Sequence, residues 1–284
     1  MLFQACRYLE KHDTTARFLQ HIVSRLDLDY AGLVLCKQRQ EFGTNLSLRA
    51  RQYAENAVQT LRFLQLLCEG HCAFFQVFLR EQPSHALQLD LIAKTVKFFV
   101  FLVDSPQSAA LFSEAEEALV AQLLDFLTET MLGPCPGNQV QVAHVDVLSA
   151  VNDLVSASWR PPKDPTNKFG RSGQISVDGS TSPVLQLLPG LGSHAKEVFF
   201  AAFGRDLRCR ACRLLSACLE GRVDQATHLA IAHRIERTGL NRLSSELQRD
   251  VLAIYARAAA IAHNSRAGSY RSHGVSLKCN RDST

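Results

Sequence analysis

Cys209 and Cys212 stand three residues apart, with Cys218 beyond them and His228 and His233 further along. Two thiols at this spacing suggest either zinc or thiol–disulfide chemistry. Structural zinc needs four ligands converging in a tetrahedron, usually as two close pairs, and the second cysteine pair is missing. Spacing of three residues also puts both thiols on one face of a helix, beside Leu215 and Leu219. The expectation is therefore core thiols, with a zinc-binding or thiol-redox protein as the competing reading. The other cysteines are Cys6, Cys36, Cys68, Cys72, Cys135 and Cys279, an odd total of nine, and most sit among apolar residues. That usage, and a start that carries Arg7 and lacks a long apolar run, point to reduced thiols in a chain without a secretory leader.

Two further constellations deserve the same test. Cys68, His71 and Cys72 place a thiol near an imidazole, but no carboxylate or oxyanion donor accompanies them. Glu114, Glu116 and Glu117 make an acidic group. They fall where the first turn of a helix is expected, and carboxylates there complement the helix dipole. Calcium needs six to eight oxygens from a shaped loop, and no such loop motif occurs. Phosphate-cradling glycine loops, metalloprotease motifs and nucleophile elbows are likewise missing. The chain is expected to be no enzyme and to hold no catalytic, cofactor-binding or metal-binding residues.

The elements that carry these residues read as helices almost throughout. Hydrophobic residues make up 46% of the 284 and charged residues 20%, ordinary for a chain that buries a core. The net charge of +4 is near balance, without a basic block, which argues against nucleic acid. The longest apolar run, Leu91–Val103, is interrupted by Lys94 and Lys97 and is too short to span a bilayer.

Helical segments are expected at Thr14–Leu26, Asp29–Gln40, Leu48–Glu69, Cys72–Arg80, Leu87–Val103, from Ser105–Pro106 onward, and Asn138–Ser156. In Leu48–Glu69 the polar positions Gln59, Arg62, Gln65 and Glu69 form one narrow stripe, so that helix should be sandwiched between neighbours. Ser113 with Glu116 spells a capping box ahead of Val120, Leu123, Leu124, Leu127 and Met131. The Asn138–Ser156 helix should turn Val140, Val147, Leu148, Val151 and Leu154 inward. The phenylalanines Phe74, Phe75, Phe78, Phe98, Phe99 and Phe101 read as core.

Between Trp159 and Gly192 lie five of the nine prolines, and disorder is expected there. Helices should resume at Ser193–Phe203, Asp206–Leu219, Val223–Thr238 and Ser244–His263. Gly221 and Gly239 should act as stops, and Ser245 with Gln248 as a second capping box. The fold class is thus all-α, an irregular armadillo-like stack of antiparallel helices with one long disordered insert. Its parts are N-terminal helical segments (1–46), a helical domain (47–158), the Pro/Gly-rich insert (159–192), a C-terminal helical segment (193–263) and a disordered tail (264–284).

Specific sequence signals then appear. Thr60–His71 reads TLRFLQLLCEGH, with the core letters Phe63, Leu64, Gln65, Leu66, Leu67, Cys68, Glu69 and His71. It resembles the stretch that opens the RIH-associated domain of inositol trisphosphate and ryanodine receptors. Gln76–Leu79, followed by Arg80, is similar to that family's continuation. Gly133–Gln139 reads GPCPGNQ and resembles the family's turn between two long helices through Gly133, Pro134, Cys135, Asn138 and Gln139. Gly133 would end one helix, Pro134 block its extension, and Asn138 and Gln139 cap the next. Leu214–Gly221, LLSACLEG, is a weaker echo of a segment found downstream in ryanodine receptors.

The resemblance implies a cytosolic regulatory module of an intracellular calcium-release channel at the endoplasmic reticulum, tetrameric through its parent. It would transmit conformational change and be no pore by itself. Its partners would be other domains or subunits of that channel, with no nucleic acid and no membrane insertion of this segment. The family's basic inositol-phosphate pocket and pore are missing from this sequence, so the chain reads as a fragment or a divergent short relative. A free-standing adaptor that binds a protein partner is the alternative.

Overall fold

The computed structural model describes residues 8, 17–42, 46–83, 85, 87–105, 112–157, 193–249 and 252. The Pro/Gly-rich insert, the C-terminal tail and the helix start expected at Ser105–Pro106 lie outside the described residues. The chain divides into two compact units, 1–239 and 240–284. In the first, the helices are α1 (Arg17–Gln38), α2 (Leu48–Cys68), α3 (Ala73–Phe78), α4 (Leu91–Leu102), α5 (Glu114–Glu129), α6 (Pro136–Val142), α7 (Val145–Ser156), α8 (Ser193–Leu219) and α9 (Gln225–Arg234). A further helical stretch covers 237–249, so the described part of the second unit is helical too. No strand occurs among the described residues, and the all-α expectation holds.

The first unit is organised around α5. Its apolar residues recur so densely that Leu119, Val120, Leu123, Leu124, Phe126 and Leu127 are all fully buried, and it packs against α2, α4 and α8. Burying each such side chain is worth roughly 1.5–3 kcal/mol relative to leaving it exposed. The capping box forms as expected. Glu116 Oε2 accepts from the Ser113 backbone N–H at 2.7 Å, while the Ser113 hydroxyl accepts from Glu116 N–H at 3.4 Å. Ser47 and Asp90 cap α2 and α4 in the same sense, accepting from Ala50 and Ala93 N–H.

Several boundaries differ from the sequence reading. The two N-terminal segments are one helix, α1. Asp29 sits in its middle, fully buried, with the Arg25 guanidinium one turn earlier at 3.4 Å. An acid paired with an arginine four residues before it supports a helix rather than starting one. Gly32 continues α1 because a Cβ there would lie 2.5 Å from the Tyr53 ring on α2.

Helix α4 begins at Leu91, not Leu87. The Gln82 side chain holds the preceding segment extended, accepting from Leu89 N–H at 2.7 Å and donating to Leu89 C=O at 2.8 Å. The expected helix from Asn138 to Ser156 is two helices. It breaks at Ala143, and His144 caps the second by accepting from Asp146 N–H. The break turns Val140 outward, 60% exposed, while Val142 is buried.

Helix α8 runs unbroken through Gly204, with Arg208 Nε donating to Gly204 C=O and Arg210 pairing with Asp206 one turn earlier. Further on, α9 stops at Arg234 because Ile235 is extended and buried. Gly239 is no stop: it lies within the 237–249 helix, where a Cβ would meet Val155 and Ser156 at 3.1 Å. Ser245 also sits inside that helix, its hydroxyl donating to Asn241 C=O, and so caps nothing.

Helix α2 is not sandwiched. Leu61, Leu64 and Cys68 are fully buried, but Phe63 and Leu66 are 45% and 42% exposed beside Arg62 and Glu69. Its outer face is therefore wider than the polar stripe suggests, and the Phe63 ring meets Phe18 of α1 edge-on.

Candidate functional site

Family-like segments far apart in sequence meet at one corner of the first unit. After Cys68 the chain leaves α2 through Gly70 and His71, both with positive φ (73° and 57°), and enters α3. Helix α5 ends at Thr130, Met131 is fully buried, and Gly133, also with positive φ, turns the chain into α6 directly beneath His71. Helix α8 ends at Leu219, and Gly221 turns away against the Pro134 ring. Each glycine sits where an L side chain would be strained.

Buried amides hold these turns together. Gln76 of α3 is 1% exposed, and its Nε2 donates to Glu129 C=O at 2.9 Å and Leu132 C=O at 2.8 Å. Asn138 and Gln139 do not cap α6, whose N-cap position is Cys135. They lie in its first turn, both fully buried. Asn138 Nδ2 donates to Gln76 C=O and Thr130 C=O, each at 2.9 Å, and its Oδ1 accepts from Arg80 Nη1 at 2.9 Å. Gln139 Nε2 donates to Ala217 C=O at 2.8 Å and Glu220 C=O at 2.9 Å, at the end of α8. The last carbonyls of a helix have no partner within it, so Gln139 finishes α8 from outside. Gln139 Oε1 is buried and meets no donor among the described residues.

Further contacts reinforce the α8 side. Gly133 N–H donates to Glu220 Oε2 at 3.4 Å, and Arg222 Nη1 donates to Pro136 C=O at 3.4 Å. Cys218 Sγ lies 3.7 Å from Met131 Sδ. Arg210 pairs with Asp125 of α5.

The charges at the corner are uneven. Burial pushes the Glu129 carboxyl up, the His71 charge partly offsets this, and the Glu69 charge adds to it. Two carboxylates from different helix ends thus feel each other. Sequence reading singled out Glu69 but not Glu129, which reads only as the last residue of a helix.

The remaining motif residues divide by face. Leu64 and Cys68 are core, Gln65 accepts from Gln122 of α5 and from Arg62, and Leu67 is half-buried; Phe63, Leu66, Glu69 and His71 face outward. Cys135 is buried, and Pro134 lies against Gly221.

Cys209, Cys212 and Cys218 lie along α8, and none of the described cysteines forms a disulfide. Among the described residues no three His, Cys, Asp or Glu side chains gather as metal ligands. The Cys68, His71 and Cys72 trio is split, with Cys68 buried and His71 exposed. Glu114, Glu116 and Glu117 open α5, where Glu116 serves the capping box.

Residues 51–155 match the family described as RyR and IP3R Homology associated. A 109-residue stretch is 40% identical to the inositol 1,4,5-trisphosphate receptor itr-1 of Caenorhabditis elegans, covering 37% of this chain and 4% of that receptor. Residues 51–155 are thus similar to the RIH-associated region of the inositol trisphosphate and ryanodine receptor family. What the chain matches is a small fraction of that receptor's length. Among the described residues no helix is long and apolar enough to cross a membrane.

Proposed function

We propose that this chain acts as a helical regulatory segment of an intracellular calcium-release channel, on the cytosolic face of the endoplasmic reticulum, and passes conformational bias between distant parts of the assembly. The observation that carries the reading is the meeting of the family-like segments at one buried, amide-stapled corner, within and just beyond the matched region. Stacked helices joined at such a corner move as a unit, which suits a relay better than a reaction chamber. The partners would be other domains or subunits of a tetrameric channel. The motif residues from Phe63 to His71 and from Gly133 to Gln139 serve the corner and its outer face rather than holding a ligand.

Two measurements test the proposal. The transcript on both sides of this reading frame should encode a run of apolar helices, or the full chain should co-purify with an endogenous calcium-release channel and alter release from stores. Neither a pore-coding region nor any association would reject it.

A further inference from the structure

Asn138 and Gln139 are neighbours in the first turn of α6, yet their side chains reach opposite ways. Asn138 ties the α3 and α5 ends, through Gln76 C=O and Thr130 C=O. Gln139 ties the end of α8, through Ala217 C=O and Glu220 C=O. Both are fully buried, so neither bond set exchanges readily with water.

The input side of this pair is reachable from solvent. Arg80 is the partner of Asn138 Oδ1, and its side chain is 19% exposed. It stands at the wall of an open cleft of about 610 Å³ between α4 and α6, whose apolar lining includes Ala93, Val96, Val100 and Val140. Its guanidinium lies flat against Gly137, where a Cβ would sit 1.7 Å from Nη1.

On the output side Gln139 makes two donor bonds, and among the described residues its buried Oε1 meets no donor.

We propose that the first turn of α6 is a two-sided coupling, in which the state of Arg80 at the cleft sets how firmly Gln139 holds the C-terminal turn of α8. When Arg80 leaves Asn138, the Asn138 carboxamide loses its acceptor-side partner and the α6 turn gains freedom. Gln139, one residue on, then loses its alignment with Ala217 and Glu220. Only four elements take part, α3, α6, α8 and the end of α5, and all belong to the first unit. The coupling belongs to the chain itself and holds whether or not the channel reading does.

Amide hydrogen exchange on the full chain tests it, read over 214–222, with 91–102 as the internal control. Arg80→Met removes the donor to Asn138 and touches nothing in α8. It should raise exchange over 214–222 at least about threefold while 91–102 stays unchanged. Gln139→Met keeps the shape and removes both donor bonds. It should raise exchange over 214–222 about tenfold or more, since two net hydrogen bonds of roughly 1 kcal/mol each exceed one decade. If Gln139→Met fails to fold, the Arg80 variant decides alone. Should Arg80→Met leave 214–222 at the parent rate, or raise exchange equally in 91–102, the coupling is wrong.

Discussion

The His71 side chain packs against the Gly133 backbone across the corner. A Cβ built on Gly133 would stand 2.6 Å from His71 Cβ and 2.9 Å from its Cγ, and both residues have positive φ. Each turn therefore fixes the other: the exit from α2 and the exit from α5 share one small volume that admits a single side chain.

Replacing Gly133 with alanine should consequently cost more than a backbone penalty. The φ of +94° alone costs about 1–2 kcal/mol for an L residue, and displacement of His71 adds to it. Gly70→Ala separates the two contributions. Gly70 has φ +73° but nothing within 4 Å of its would-be Cβ. Urea unfolding should show Gly133→Ala clearly less stable than Gly70→Ala, and Gly133→Ala with His71→Gly should recover part of the gap. Equal losses for the two alanine variants would remove the steric argument.

Gly137→Ala should behave differently. The atom in its way is the tip of the flexible Arg80 side chain, which can swing aside. Alanine also suits a helix better than glycine by about 1 kcal/mol. Thermal unfolding should move little, while the Arg80–Asn138 hydrogen bond is lost, as reported by the Asn138 side-chain amide resonances.

Glu117 gives a pH prediction. It is 8% exposed, and burial, with the charges of Glu114 and Glu116, pushes its carboxyl up to about 7. The folded state thus holds this proton more tightly than the unfolded state does. Its contribution favours folding at acid pH, is lost as pH rises from about 4.5 to about 7, and is flat above. Glu117→Gln should stabilise the protein at pH 8 by an amount on the order of 2–3 kcal/mol and little at pH 4. A stability difference that does not change between these pH values would contradict the assignment.

Much of the fold is legible in the sequence. The cap at Ser113 is a local signal, because a short polar side chain satisfies amides two or three residues ahead, and the core of α5 follows from its apolar density. What is not legible is set by distant partners. Asp29 looks like a helix start until Arg25 is seen beside it, Gly239 looks like a stop until Val155 is seen against it, and the outward face of α2 depends on where α1 and α5 lie. The same holds at the corner. FLQLLCEGH and GPCPGNQ can be found by eye, yet the role of Asn138 and Gln139 as long-range staples rather than caps exists only once the chain is folded.

Thiol reactivity should follow burial. The Cys218 thiol is pushed up to about 12 by burial, next to Met131. Cys68 and Cys135 are buried as well, whereas Cys72 and Cys209 are half-exposed. Under native conditions iodoacetamide should label Cys72 and Cys209 well before Cys218, as measured by peptide mass spectrometry. Early labelling of Cys218 would mean that the α5–α8 seam opens freely.

Because the end of α8 is finished by a side chain from another helix, its rotational phase is fixed as well as its length. One residue inserted within α8 ahead of Ala217 would advance the carbonyls of Ala217 and Glu220 by 1.5 Å and turn them about 100° away from Gln139. Among natural variants of this chain, insertions of one or two residues in that stretch should therefore be selected against more strongly than substitutions on its exposed side.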